Sequence, residues 1–149
     1  MSKLFKEEMM EYNTTIKDWK KAVNRGVEIL AQNGYATMEL EKAILDSTEK
    51  FGAYYVLEKG IALIHAAPGN YILKNGTSTI ILDENIVFNN QEEKQAKILV
   101  TLAATDSNSH LGILQEFSHY FMNEDFKKEA LNVKNLNEFK ILLNKYKGE

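Results

Sequence analysis

Ile98-Leu99-Val100-Thr101-Leu102-Ala103-Ala104 is the clearest buried strand of this 149-residue chain, a short apolar run with a single polar member. Upstream of it, Thr77 to Leu82 reads as a strand, and Ile86 to Phe88 as a shorter one across an Asp-Glu-Asn turn. Further back, Tyr54 to Leu57 and Ile61 to Ile64 are two β-branched and aromatic runs separated by Glu58-Lys59-Gly60. Pro68, the only proline, ends the second run, and Pro68-Gly69-Asn70 reads as a loop. Helices flank this block. Asp18 caps a helix whose apolar positions are Trp19, Ala22, Val23, Val27 and Leu30, stopped at Gly34. Thr37 caps a second, carrying Leu40, Ala43, Ile44 and Leu45 and ending near Gly52. After the buried strand, a helix is expected from about Asn108 to Met122, capped by Asp106, Ser107 or Ser109. A short helix follows over Asn123 to Leu131. A last one opens at Asn135 with Glu138 three residues later, as in a capping box. Helices first, strands in the middle and helices last predict an α/β fold, a three-layer sandwich in one domain over residues 1–149.

Composition narrows the chemistry. There is no cysteine, hence no thiolate nucleophile and no thiolate metal site. The net charge is -3, which disfavours backbone-driven nucleic-acid binding. Arg25 is the only arginine, so a cluster of bidentate phosphate clamps is excluded. The longest apolar run falls far short of the ~20 residues that span a bilayer, and residues 1–11 are too charged for a signal peptide. A cytoplasmic location is expected.

Three histidines remain as candidates: His65, His110 and His119. No glycine-rich phosphate loop, nucleophile elbow or HExxH pattern accompanies them. His65 directly follows the run Gly60 to Ile64, at the C-terminal end of a strand, and His110 follows the buried strand at a helix start. Sites in open α/β sheets form beyond the carboxyl ends of strands. Two imidazoles meet there if the strands are parallel neighbours. A strand-end histidine also serves as a hydrogen-bonded structural residue, and His110 as a half-buried first-turn residue. His119, nine positions beyond His110, falls on the opposite helix face at about 100° per residue and reads as exposed. Lys59 is an anion ligand or a solvated turn residue, and Trp19 reads as core.

Gly60-Ile61-Ala62-Leu63-Ile64-His65-Ala66 resembles the phosphorylation motif G-x-A-x-P-H of the mannitol/fructose-type enzyme IIA superfamily of the sugar phosphotransferase system. Phe51-Gly52-Ala53-Tyr54-Tyr55-Val56 is similar to that family's G-P-Y-x-V approach. The segment from Leu102 to Leu111 resembles the second-histidine segment of the ascorbate-type branch, and Trp19-Lys20-Lys21-Ala22 its first helix. The likeness runs from about residue 18 to the C-terminus.

The resemblance implies a mixed β-sheet flanked by helices on both faces. It also implies a phosphocarrier that takes a phosphoryl group from phospho-HPr on His65, with His110 as the partner histidine. That group then passes to a cysteine of enzyme IIB, and indirectly serves the membrane enzyme IIC, for ascorbate or a related pentose or pentitol. No cofactor or metal is implied. Two positions depart from the pattern: Ile64 replaces proline, and Ala67 replaces the branch's arginine, removing a phosphate donor. A regulatory module sensing phosphotransferase flux through His65 is the alternative. A metal-dependent hydrolase is disfavoured for want of ligand spacing.

Overall fold

In a computed structural model, which describes residues 4–106 and 111–148, apolar runs in the middle of the chain build one mixed sheet. Its strands are β1 (Met10–Asn13), β2 (Val56–Glu58), β3 (Gly60–Ile64), β4 (Gly76–Phe88) and β5 (Gln91–Ala103), in the order β1-β4-β5-β3-β2. β1 runs parallel to β4, β5 parallel to β3, and the β4–β5 and β2–β3 pairs are antiparallel. Helices α1 (Trp19–Gln32) and α2 (Glu39–Phe51) precede most of the sheet; α3 (Leu111–Phe121), α4 (Glu124–Ala130) and α5 (Leu136–Tyr146) follow it.

The period of two along a strand divides the core into two layers. Ala62, Ile64, Leu99 and Ala103 face one layer, with Val23, Val27 and Leu30 of α1 and Leu40 and Ile44 of α2. Ile61, Leu63, Ile98, Val100 and Leu102 face the other, with Phe117, Phe121, Phe126 and Phe139 of α3 to α5. The expected three-layer sandwich is present, with helices on both faces of a mixed sheet.

Helix ends follow the expected chemistry. The Asp18 carboxylate accepts from Lys21 N, and Gly34 takes φ +81° after α1. Thr37, expected to cap α2, stands one residue ahead of the N-cap Met38, and its hydroxyl accepts from Glu39 N at 3.3 Å. Asn135 Oδ1 accepts from Glu138 N at 2.8 Å, while the Glu138 carboxylate reaches back to Lys134 N, one residue before the expected Asn135 N–H. The Asn123 side chain caps α4 on Phe126 N. Residues 107–110, including the expected caps Ser107 and Ser109, lie outside the described residues.

Three expectations need correction. The charged N-terminal segment contributes β1, an edge strand that the sequence reading did not include; Glu11 there is held by Arg25 of α1. Asp83-Glu84-Asn85 is not a turn between two strands. It is an irregularity inside β4, where pairing jumps from Ile81↔Ile98 to Ile86↔Ala96. The reversal comes later, at Asn89-Asn90, both at φ 56°, which suits the right-handed twist of a tight hairpin. β5 accordingly begins at Gln91, well before the apolar run.

Helix α1 lies close to the sheet because Gly26 has no side chain. A Cβ there would stand 2.5 Å from Thr101 Oγ1, and Ser78 Oγ donates to Gly26 O at 2.8 Å. Overpacking a dense core costs ~1–3 kcal/mol, so Gly26→Val is expected to destabilise the fold by roughly 2 kcal/mol or more in urea titrations.

Candidate functional site

Strand β3 is five residues long and buried throughout, so His65 is the first residue to leave the sheet. Its parallel neighbour β5 is in register at Ile64↔Thr101, and the C-terminal ends of both strands open on the same rim. That is the arrangement the sequence left conditional. Just beyond β5, Thr105 N donates to Asn75 Oδ1 at 2.7 Å. His110, the expected partner histidine, lies outside the described residues.

The half-buried His65 imidazole turns back on its own strand. Nδ1 stands 2.7 Å from Leu63 O. A carbonyl only accepts, so Nδ1 carries the proton, and the neutral ring keeps its lone pair on Nε2. This tautomer leaves Nε2 as the nucleophilic and basic nitrogen of the site.

Tyr54 touches the same residue twice. Its hydroxyl donates to His65 O at 2.8 Å, and its ring meets the imidazole edge to face, with centroids 5.2 Å apart. Ser47 of α2 lies 3.0 Å from the Tyr54 hydroxyl. One residue along, Thr48 and Tyr55 repeat the pairing at 2.8 Å in a buried setting, and burial pushes the Tyr55 phenol up to about 12. The Tyr71 hydroxyl donates to Ala67 O, and burial raises its pKa. A groove of about 660 Å³ opens beside this segment, lined by Ser47, Lys50, Phe51, Ala66, Ala67 and Tyr71.

Other candidates fall elsewhere. Lys59 precedes β3 and so lies at the opposite end of the strand from His65, roughly 20 Å away at ~3.3 Å per residue. It lines a separate groove with Asp83, Asn85 and Lys97. Arg25 is engaged by Glu11 at 2.6 Å and by Glu28, which holds its guanidinium well above the ordinary range. Hydrogen bonding to Arg25 in turn keeps the Glu11 carboxyl below its usual value. Trp19 is partly buried and its ring lies 6.2 Å from that of Phe88, as a core residue should. His119 is exposed, as expected, and its Nε2 donates to Tyr146 O at 2.8 Å, pinning the end of α5.

Ser47, Tyr71 and Asn75 were not anticipated as neighbours of this rim. The signal available was the matched spacing of Ser47-Thr48 and Tyr54-Tyr55, seven residues apart.

The chain matches the family model for the phosphoenolpyruvate-dependent sugar phosphotransferase system, EIIA 2, over residues 3–146. It is 32% identical over 131 residues to the mannitol-specific cryptic phosphotransferase enzyme IIA component of Escherichia coli, covering 88% of each chain. It is 34% identical over 112 residues to the ascorbate-specific EIIA component of Escherichia coli, covering 74% of this chain and 73% of that one. The solution structure of the Escherichia coli mannitol-specific cryptic enzyme IIA superposes with a TM-score of 0.84 at 29% identity over 95% of each chain. The Escherichia coli mannitol enzyme IIA solved in complex with phosphorylated enzyme IIB shares the fold, with a TM-score of 0.78 at 20% identity over 95% of this chain and 97% of that one.

Because His119 is exposed and makes one peripheral hydrogen bond, His119→Gln is expected to shift stability by less than about 0.5 kcal/mol in thermal unfolding.

Proposed function

The chain belongs to the EIIA 2 family of the phosphoenolpyruvate-dependent sugar phosphotransferase system, and on that premise we propose that His65 Nε2 is the atom that carries its phosphoryl group. The observation that supports this reading is the hydrogen bond from His65 Nδ1 to Leu63 O, which in the neutral ring leaves the lone pair on Nε2, at the open end of a buried strand. The donor is phospho-HPr. Nε2 attacks phosphorus, the N–P bond of the donor breaks, and the donor histidine leaves with the electron pair. The transition state is loose, so positioning and charge stabilisation supply most of the catalysis. The proton stays on Nδ1 throughout, hydrogen-bonded to Leu63 O, where the carbonyl dipole offsets positive charge that develops on the ring. In the second transfer a thiolate of enzyme IIB attacks phosphorus, and the imidazole leaves. Neutral imidazole is a good leaving group near pH 7, which suits a carrier that must release what it accepts.

His110 is the partner histidine in this reading, donating to the phosphoryl oxygens or orienting His65. The route served is that of ascorbate or a related pentose or pentitol, in keeping with the 34–36% identity to ascorbate-specific relatives over 99 to 112 residues. The protein acts in the cytoplasm, supplying enzyme IIB and through it the membrane enzyme IIC.

Incubation with enzyme I, HPr and phosphoenolpyruvate, followed by intact mass measurement in alkali, tests the assignment. One acid-labile phosphoryl group per chain is expected. His65→Ala should abolish it with the fold intact; full labelling of that variant would mean that the carrier is another residue. His110→Ala should keep the fold and slow transfer in both directions.

Ala67 is exposed on the groove beside His65, and Lys50 is the one cation among the residues lining that groove. Ala67→Arg introduces a charge-assisted donor to a phosphoryl oxygen, worth ~1.5–3 kcal/mol before the cost of ordering the side chain. A faster uptake or a longer phosphoenzyme half-life than wild type is the expected result.

A further inference from the structure

We propose that Tyr54 is the positioning residue of the phosphoryl-accepting imidazole, and that it is itself set by Ser47 of α2; the proposal rests on the assignment of His65 made above. The β3 ladder ends at Ile64, so the peptide of His65 lies beyond the strand pairing. Its carbonyl finds the Tyr54 hydroxyl at 2.8 Å instead. That bond restrains the backbone on one side of the imidazole, and the edge-to-face contact of the Tyr54 ring at 5.2 Å restrains the imidazole itself. Held at both points, the ring is aimed so that Nδ1 reaches Leu63 O. Without the restraint the residue that leaves the strand is free to rotate, and the proton is free to move to Nε2 in the competing tautomer, which has no lone pair on Nε2 to attack phosphorus.

The direction of each bond follows from counting protons. Tyr54 has one hydroxyl proton, and it goes to His65 O. Ser47 must therefore be the donor in the 3.0 Å contact with the Tyr54 oxygen. Ser47 Oγ–H to Tyr54 Oη–H to the His65 carbonyl is a single chain of donors, each polarising the next. It links a residue in the penultimate turn of α2 to the backbone of the reacting residue. The neighbouring Thr48–Tyr55 pair runs the other way. The Thr48 hydroxyl proton goes to Ile44 O at 2.7 Å, so Tyr55 donates to Thr48, and that chain ends within α2 without reaching His65. Two adjacent tyrosines thus share a helix but not a task.

The test is Tyr54→Phe, which keeps the ring and removes both hydrogen bonds. Imidazole nitrogen-15 shifts of the neutral ring, taken above its titration, should show Nδ1 protonated and Nε2 bare in the wild type, and a mixture of the two tautomers in the variant. The rate of phosphoryl uptake from phospho-HPr should fall roughly tenfold with the KM for HPr unchanged, since misplacement of a reacting atom acts on the transition state. Ser47→Ala, which leaves the tyrosine in place, should move both readouts the same way and less far; it carries the test if Tyr54→Phe does not fold. Tyr55→Phe should lower stability while leaving the nitrogen pattern and the rate as in wild type. An unchanged nitrogen pattern in Tyr54→Phe, or a changed pattern with an unchanged rate, overturns the proposal. If wild type takes up no phosphoryl group, the assignment of His65 fails, and the nitrogen pattern alone then supports or overturns the role of Tyr54.

Discussion

Strands β3 and β5 lie side by side and run in the same direction, in register from Ile61↔Ile98 to Ile64↔Thr101. Parallel neighbours must finish at one edge of the sheet, and a chain that makes such a pair has to cross over between them. Here the crossover contains β4, which pairs with β5 in the opposite sense and occupies its other flank. β5 is therefore paired on both sides along its apolar half, with side chains buried in both layers. Such a strand cannot slip by one residue without exchanging the contents of the two layers. The place where His65 leaves the sheet is set by that constraint.

What happens beyond the strand end is a matter of local hydrogen bonds. Three carbonyls in this stretch have side-chain donors: Leu63 O takes His65 Nδ1, His65 O takes Tyr54, and Ala67 O takes Tyr71. Carbonyl oxygens engaged in this way are satisfied within the protein. The two hydroxyls that do this come from the approach to β2 and from the loop itself, so the immediate setting of the His65 imidazole is built by residues between 47 and 71. A preorganised environment of this kind needs little rearrangement as charge shifts between donor and acceptor.

The central sheet was legible because its strands are buried on both faces, and burial leaves a continuous apolar signal, as in Gly60 to Ile64 and Ile98 to Ala104. Helix caps were legible for a different reason: Asp18 and Asn135 each offer a short side-chain acceptor to a free backbone N–H. The elements that escaped are those whose pairing is not advertised by apolar side chains. β1 is a four-residue edge strand with every residue half-buried. The first half of β5 is a run of Gln, Glu and Lys that is extended only because β4 pairs with it. Of the candidate site, the strand-end position of His65 was legible from its place after an apolar run. Its tautomer and its Tyr54 and Ser47 supports were not, since they depend on side-chain geometry between elements. His119 was placed correctly as exposed by helix phase, although its bond to Tyr146 O joins residues 27 apart.

The confinement of Arg25 has an effect on how the molecule meets others. Its guanidinium, the only one in the chain, is occupied by Glu11 and Glu28, so the remaining cations are ammonium groups on flexible stems. Ammonium groups attract as point charges and impose little geometry on what they touch. At physiological ionic strength their reach is about 8 Å. Encounters steered by such charges form quickly, loosen as salt rises, and dissociate without breaking a bidentate clamp.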